Sequence, residues 1–218
     1  MMTNKKDEQK QRVIIGISGK IGSGKDHFSD IAVNEFNFTK IPFAKALKNE
    51  VIDFLIEFNI PYKLSNIWGT QSEKEEELSF PSYFDFSSMV EKYMFLEKKC
   101  RGLTFRLLMQ LWGTEYRRLQ DKDYWVKKTL LSISKYDKVV ISDMRFMNEY
   151  MAIKLIGGIV IRINRTESFK DPSIIRHLSE TDLDNILNWD YKVDNYNSLS
   201  SYDNICRLTL EEIVKKNE

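Results

Sequence analysis

One run of eight residues, Gly19-Lys20-Ile21-Gly22-Ser23-Gly24-Lys25-Asp26, has the residue types and the spacing to hold phosphate. It reads glycine, four residues, Gly-Lys, and then aspartate where serine or threonine is usual. Glycines let the backbone take positive φ and come close to a ligand. Successive N–H groups can then converge on phosphate oxygens, and the positive end of a following helix adds to the attraction. Lys25 would reach the β- and γ-phosphates of a nucleoside triphosphate. Gly19, Lys20, Gly22, Ser23, Gly24, Lys25, Asp26 and His27 are therefore the candidate contacts to the donor nucleotide. Asp26 could hold Mg²⁺ directly or through water, although it adds negative charge beside phosphates. The competing reading is a glycine-rich turn that only caps a helix.

Other residues could complete such chemistry. Asp143 ends the apolar run Val139–Ser142, and ligands of open α/β sheets gather at the carboxyl ends of strands. It can hold the metal or its waters, or it can cap the next helix. Arg145 follows two residues later and can bind an anion or form a surface ion pair. Asn148 and Glu149 read as the start of a helix. Arg162, Arg165 and Arg176 bracket a polar segment containing Pro172. They suit a lid that offsets charge on a transferring group and excludes water, or equally a solvated loop. Ser179 with Asp182 fits a capping pattern. His177 reads as a ligand contact or a loop residue. Gln110, Glu115, Arg117 and Arg118 share one helical segment with Trp112 and Tyr116. Amides, charges and aromatics could read a base there, though residues such as Trp112 and Tyr116 are more often core.

The chain around these residues is 218 long, enough for one large α/β domain or two small ones. Hydrophobic residues make up 42% and charged residues 30%, which suits a globular protein with a core. Net charge is +1, so no overall basic field argues for nucleic acid as a partner. The two cysteines, Cys100 and Cys206, lack metal-ligand spacing, and a reduced, cytoplasmic protein is expected. No apolar run is long enough to span a membrane. Residues 1–12 are polar and are expected to form a flexible arm.

Strand-like and helix-like patterns alternate, which predicts a parallel sheet with helices on both faces. Val13–Ile17, Val139–Ile141, Ile159–Ile163 and Tyr191–Asp194 read as strands. Helices are predicted from Asp26 to Phe36, from about Ala44 to Phe58, from about Thr104 to Gln120, around Trp125–Ile133, over Glu149–Ile156 and over Leu199–Lys216. Residues 62–101 are less regular. They read as an insertion within a single domain over 13–218, with a lid over 165–178.

Together these motifs resemble the deoxynucleoside monophosphate kinases of bacteriophages and large DNA viruses, within the P-loop nucleoside monophosphate kinase group. Dephospho-coenzyme A kinase is a relative of that group. The likeness rests on the Gly-Lys-Asp loop, Phe43-Ala44 with Leu47-Lys48, and Leu107-Leu108-Met109-Gln110 with Gly113-Thr114-Glu115. It also rests on Arg118, Trp125-Val126, the run Ser142–Glu149, Arg165, His177-Leu178-Ser179-Glu180 and Asp194-Asn195. The resemblance implies a P-loop three-layer sandwich with a helical insertion or lid. It implies phosphate transfer from ATP to a deoxynucleoside monophosphate with Mg²⁺, in the cytoplasm (the host's, for a viral chain). A homodimer is among its implications. Lys25, Asp143, Arg145 and Arg165 then become catalytic, with Asp26 and Asp143 toward the metal. Asn195 would lie near the donor base. Lys45, Lys48, Gln110, Trp112, Thr114, Arg117, Arg118, Arg176, His177 and Glu180 would face the acceptor. His27 replaces the family's usual threonine, Met147 a common proline, and Ser79–Lys98 is longer than the family pattern. Transfer to dephospho-coenzyme A and nucleotide binding without turnover are the alternatives.

Overall fold

Six consecutive buried residues, Val13–Ser18, form β1, and a strand hidden along its whole length belongs inside a sheet. The computed structural model describes residues 12–96, 102–165, 181–196 and 198–217. Its order of elements is β1, α1 (Lys25–Phe36), β2 (Thr39–Lys40), α2 (Ala44–Glu57), α3 (Leu64–Trp68), α4 (Gln71–Lys74) and α5 (Phe86–Lys92). A 3₁₀ turn at Met94–Leu96, α6 (Phe105–Gln110), a π-helix (Leu111–Arg118), α7 (Tyr124–Ile133) and β3 (Lys138–Ile141) follow. Then come α8 (Met147–Leu155), β4 (Ile159–Asn164), β5 (Tyr191–Asp194) and α9 (Leu199–Lys216). These elements divide into two units, one drawn from Met1–Phe43 and Thr129–Glu218, the other from Ala44–Lys128.

The first unit holds the sheet. Its strand order is β2-β3-β1-β4-β5, and every pairing is parallel. Alternation along β1 assigns its two faces. Val13, Ile15 and Ile17 join Phe28 and Ile31 of α1 and Tyr202, Cys206, Leu210 and Ile213 of α9 in one buried cluster. Gly16 points the other way and lies under Met144 and Ile153. Helices therefore cover both faces, which is the expected three-layer α/β sandwich. β1 leads into the glycine loop and then α1, and β3 leads to Asp143. Both come to the carboxyl edge of adjacent parallel strands. Arg12, from the predicted arm, donates to the carbonyls of Ile133 and Tyr136.

The second unit is helical. Val51, Phe54 and Leu55 give α2 an apolar face at helical spacing, and they pack with Ile67, Met89, Leu96, Leu108, Leu111 and Trp112. The irregular stretch expected at 62–101 lies within this longer unit. Its backbone is pinned where Leu78 N–H donates to the Leu103 carbonyl and Glu77 bridges Thr104. The single helix predicted from Thr104 to Gln120 changes winding at Leu111, where i→i+5 bonding takes over for eight residues.

Phe54 is 1% exposed, and its ring contacts those of Phe58, Tyr93 and Trp112. Phe54→Ala leaves a cavity at this point. We expect it to lower unfolding free energy by about 3–5 kcal/mol, read from urea unfolding.

Candidate active site

A loop that cradles phosphate must turn its carbonyls away from the ligand. Here they are held one after another. Lys25 Nζ donates to the carbonyls of Gly19 (2.6 Å) and Lys20 (2.7 Å). Arg165 Nη1 donates to Gly22 at 3.2 Å. The Asn195 amide donates to Ser23 at 3.0 Å, and the Tyr202 hydroxyl to Gly24 at 3.0 Å. Gly24 sits at φ 102°, a conformation that side chains disfavour. A Cβ at Gly19 would lie 2.5 Å from the Ile163 carbonyl and from Ser23 Oγ, so the loop has no space for one. Ser23 Oγ is buried without a hydrogen-bond partner among the described residues. A bound anion would relieve that cost. The loop thus fits a polyphosphate.

Charged groups surround the loop within the same unit. Asp184 takes Lys20 Nζ at 2.5 Å and Arg162 Nη2 at 2.8 Å. Asp26, its side chain 82% exposed, pairs with Lys40 at 3.0 Å. Burial alone would lower the Lys40 ammonium, but the bonds to Asp26 and Asp30 outweigh it and hold its pKa above 10.5. Asp143 Oδ1 accepts the Phe43 N–H at 2.7 Å, which fixes the carboxylate at the end of β3. The described residues contain no group of three or more His, Cys, Asp or Glu that could hold a metal. Mg²⁺ asks for less, since one or two carboxylates with phosphates and waters suffice. Asp26 and Asp143 fit that need.

In the second unit one carboxylate organises several side chains. Glu50, its side chain 16% exposed, accepts Trp112 Nε1 (3.0 Å), Arg117 Nε (2.8 Å) and the Tyr124 hydroxyl (2.5 Å). Burial pushes its pKa up, and the three donors outweigh that, so it rests below 4.5. The Tyr124 hydroxyl is pushed up to about 12, by burial first and by Glu50 second. The Arg117 guanidinium lies over the rings of Tyr116 and Tyr124, at 4.6 and 4.8 Å from their centroids.

The family model described as deoxynucleotide monophosphate kinase matches residues 50–205. The chain belongs to that family. It is accordingly a nucleotide kinase, a phosphotransferase whose substrates are small nucleotides. The matched stretch starts at Glu50 and takes in Asp143 and Arg145, while the glycine loop precedes it. Over 200 residues the chain is 27% identical to a protein of Acanthamoeba polyphaga mimivirus that carries a provisional deoxynucleotide monophosphate kinase name. That alignment covers 87% of this chain and 92% of the relative. Dephospho-CoA kinase from Campylobacter jejuni is a structural neighbour at TM-score 0.46 and 19% identity, covering 94% of this chain and 98% of that one. No helix among the described residues is long and apolar enough to cross a membrane.

Several expected site residues of this kinase take more specific positions than the sequence implied. Lys25 is 8% exposed and folded back onto its own loop. His27, expected among the phosphate contacts, turns its ring to Asp203 of α9 at 2.5 Å. Asn195, expected near the donor base, spends its amide on Ser23. Trp112 needs correction as an acceptor contact. At 2% exposure, ringed by Phe54, Tyr93, Phe95 and Tyr116, its indole is core and cannot stack on a ligand. Arg145 N–H donates to Glu149, which also accepts Phe146 N–H, so Glu149 caps α8 as expected. Lys45, Gln110 and Thr114 are exposed, and the Thr114 hydroxyl donates to the Gln110 carbonyl. Lys48 lies 4.2 Å over the Trp68 ring, and Arg118 is half-buried. Arg176, His177, Glu180 and the lid beyond Arg165 lie outside the described residues.

Sequence reasoning missed Glu50, Asp184, Asp203 and Tyr202. Nothing local marks Glu50, since its partners lie 62 to 74 residues away. Its depressed carboxyl sets a sign for acid behaviour. The folded value lies below the unfolded one, so the charged hub stabilises fully above pH 4.5 and loses that contribution as pH falls through the folded value. Glu50→Gln takes up no such proton. Its stability should fall less steeply than wild type below pH 4.5, measured by urea unfolding at a series of pH values.

Proposed function

We propose that the chain transfers the terminal phosphate of ATP to a deoxynucleoside monophosphate, giving the diphosphate for DNA synthesis. The observation that carries this is the glycine loop, with its carbonyls tied back ahead of α1, in a chain of the deoxynucleotide monophosphate kinase family. Gly19, Lys20, Gly22, Ser23, Gly24 and the first N–H groups of α1 take the donor phosphates. Lys25, already held at the loop, turns its ammonium charge to the β- and γ-phosphates. Asp143, aided by Asp26, holds Mg²⁺. When bound, the ion would supply positive charge against the phosphates.

Arg145 and Arg165 act on charge that develops on the transferred group. The Gly22 carbonyl already places Arg165 at the loop. Lys45, Lys48, Gln110, Thr114, Arg117 and Arg118 bind the acceptor. Little covalent work falls to the protein, since orientation and electrostatics do most of it.

The test is an acceptor panel with MgATP. Deoxynucleoside monophosphates should yield diphosphates, and dephospho-coenzyme A should not react. The opposite result overturns the acceptor assignment, and ATP binding without any transfer overturns the kinase reading. Lys25→Ala should lose transfer by about 10²-fold or more, as loss of a donor to transition-state charge does, while circular dichroism shows the fold retained.

A further inference from the structure

An arginine that binds a phosphate gains most when its fork is already aimed, because little side-chain entropy then remains to be lost. Arg117 is held at three points. Its Nε donates to Glu50 at 2.8 Å, and its plane lies over Tyr116 and Tyr124. The two Nη groups, which carry four of the five guanidinium N–H donors, take no acceptor among the described residues. They form the edge suited to two phosphate oxygens at once.

What aims the fork is Glu50, and what aims Glu50 is the core. Trp112 Nε1 donates to the same Oε2 that takes Arg117. The Trp112 indole is locked among Phe54, Tyr93, Phe95 and Tyr116. Tyr124 holds the other carboxylate oxygen. The local winding makes this possible. Residues five apart on an α-helix sit roughly 140° apart around its axis, at 3.6 residues per turn. Trp112 and Arg117 are five apart, yet both reach one oxygen. Between them the backbone is a π-helix, whose i→i+5 bonding returns the fifth residue over the first.

We propose that Glu50 is a positioning residue for the acceptor: joined to Trp112 across the π-helix, it fixes Arg117 so that its open edge binds the phosphate of the incoming nucleoside monophosphate. This rests on the acceptor reading given under Proposed function. Arg117 touches the substrate, and Glu50 acts only through it. The bonds run the right way for that role, since the carboxylate stays ionised and the guanidinium stays charged. Glu50 also tells against a role in the chemistry itself, because all three of its donors belong to the protein.

The experiment is steady-state kinetics with MgATP and each of dAMP, dCMP, dGMP and dTMP, on wild type, Glu50→Gln, Arg117→Ala, the double variant and Tyr124→Phe. Calorimetric titration of the same monophosphates without ATP runs beside it. Glu50→Gln should raise acceptor KM and the monophosphate Kd about tenfold, with kcat and the KM for ATP within about twofold. Arg117→Ala should do the same or more, and adding Glu50→Gln to it should change neither constant further. Tyr124→Phe keeps the ring under Arg117 and removes one bond to Glu50. It should lower the thermal midpoint as Glu50→Gln does, yet leave acceptor KM within about twofold, which separates aiming from mere stabilisation. If Glu50→Gln weakens acceptor equally in the Arg117→Ala background, or moves both KM values together, the positioning role is wrong while the kinase reading stands. If wild type neither binds nor phosphorylates any of the four, both fall.

Discussion

The glycine loop can serve phosphate only because its carbonyls are otherwise engaged. A tight turn of small residues exposes oxygen as readily as N–H, and exposed oxygen repels an anion. Here Lys25, Arg165, Asn195 and Tyr202 take those oxygens from four different parts of the first unit. The sheet makes this reachable. β1 delivers the loop, β4 delivers Arg165, β5 delivers Asn195, and α9 packs back over the same edge to bring Tyr202. The parallel order with β1 between β3 and β4 therefore supports the chemistry directly. The loop's shape is a property of the whole unit rather than of its eight residues.

The second unit solves a related problem with a carboxylate. Glu50 gathers an indole, a phenol and a guanidinium, and each donor restrains the others through it. A carboxylate largely withdrawn from water is costly by itself, and three donors, one of them cationic, offset the cost. The π-helix is the backbone's share of this arrangement. It widens the winding over Leu111–Arg118 so that residues otherwise on different faces meet one acceptor.

Much of this was legible in the sequence where the signal was local. β5 and α9 have the bounds their patterns predict, and the glycine loop announced itself by spacing. Glu149 read correctly as the start of a helix. What escaped depended on distance or on ambiguity between burial and contact. Nothing near His27 announced that its ring would turn to Asp203, which is 176 residues on. Trp112 stayed open between core and base contact, because an aromatic in an amphipathic segment carries no label for either. The π-winding was not read from the sequence, although Gly113-Thr114 in the middle of Leu111–Arg118 is poor helix composition. The second unit begins at Ala44 rather than at the irregular stretch. α2 joins the core built by Leu108, Leu111 and Trp112, and periodicity alone cannot say which core a helix face will meet.

The sheet order also governs how the molecule can assemble as it leaves the ribosome. β1 emerges first, yet both strands that flank it lie far downstream, β3 after α7 and β4 after α8. Until they arrive β1 has no strand to pair with, although α1 follows at once and packs against Val13, Ile15 and Ile17. The second unit is one uninterrupted segment, complete before β3 is made. The residues that tie back the loop carbonyls, Arg165, Asn195 and Tyr202, are made after that whole segment.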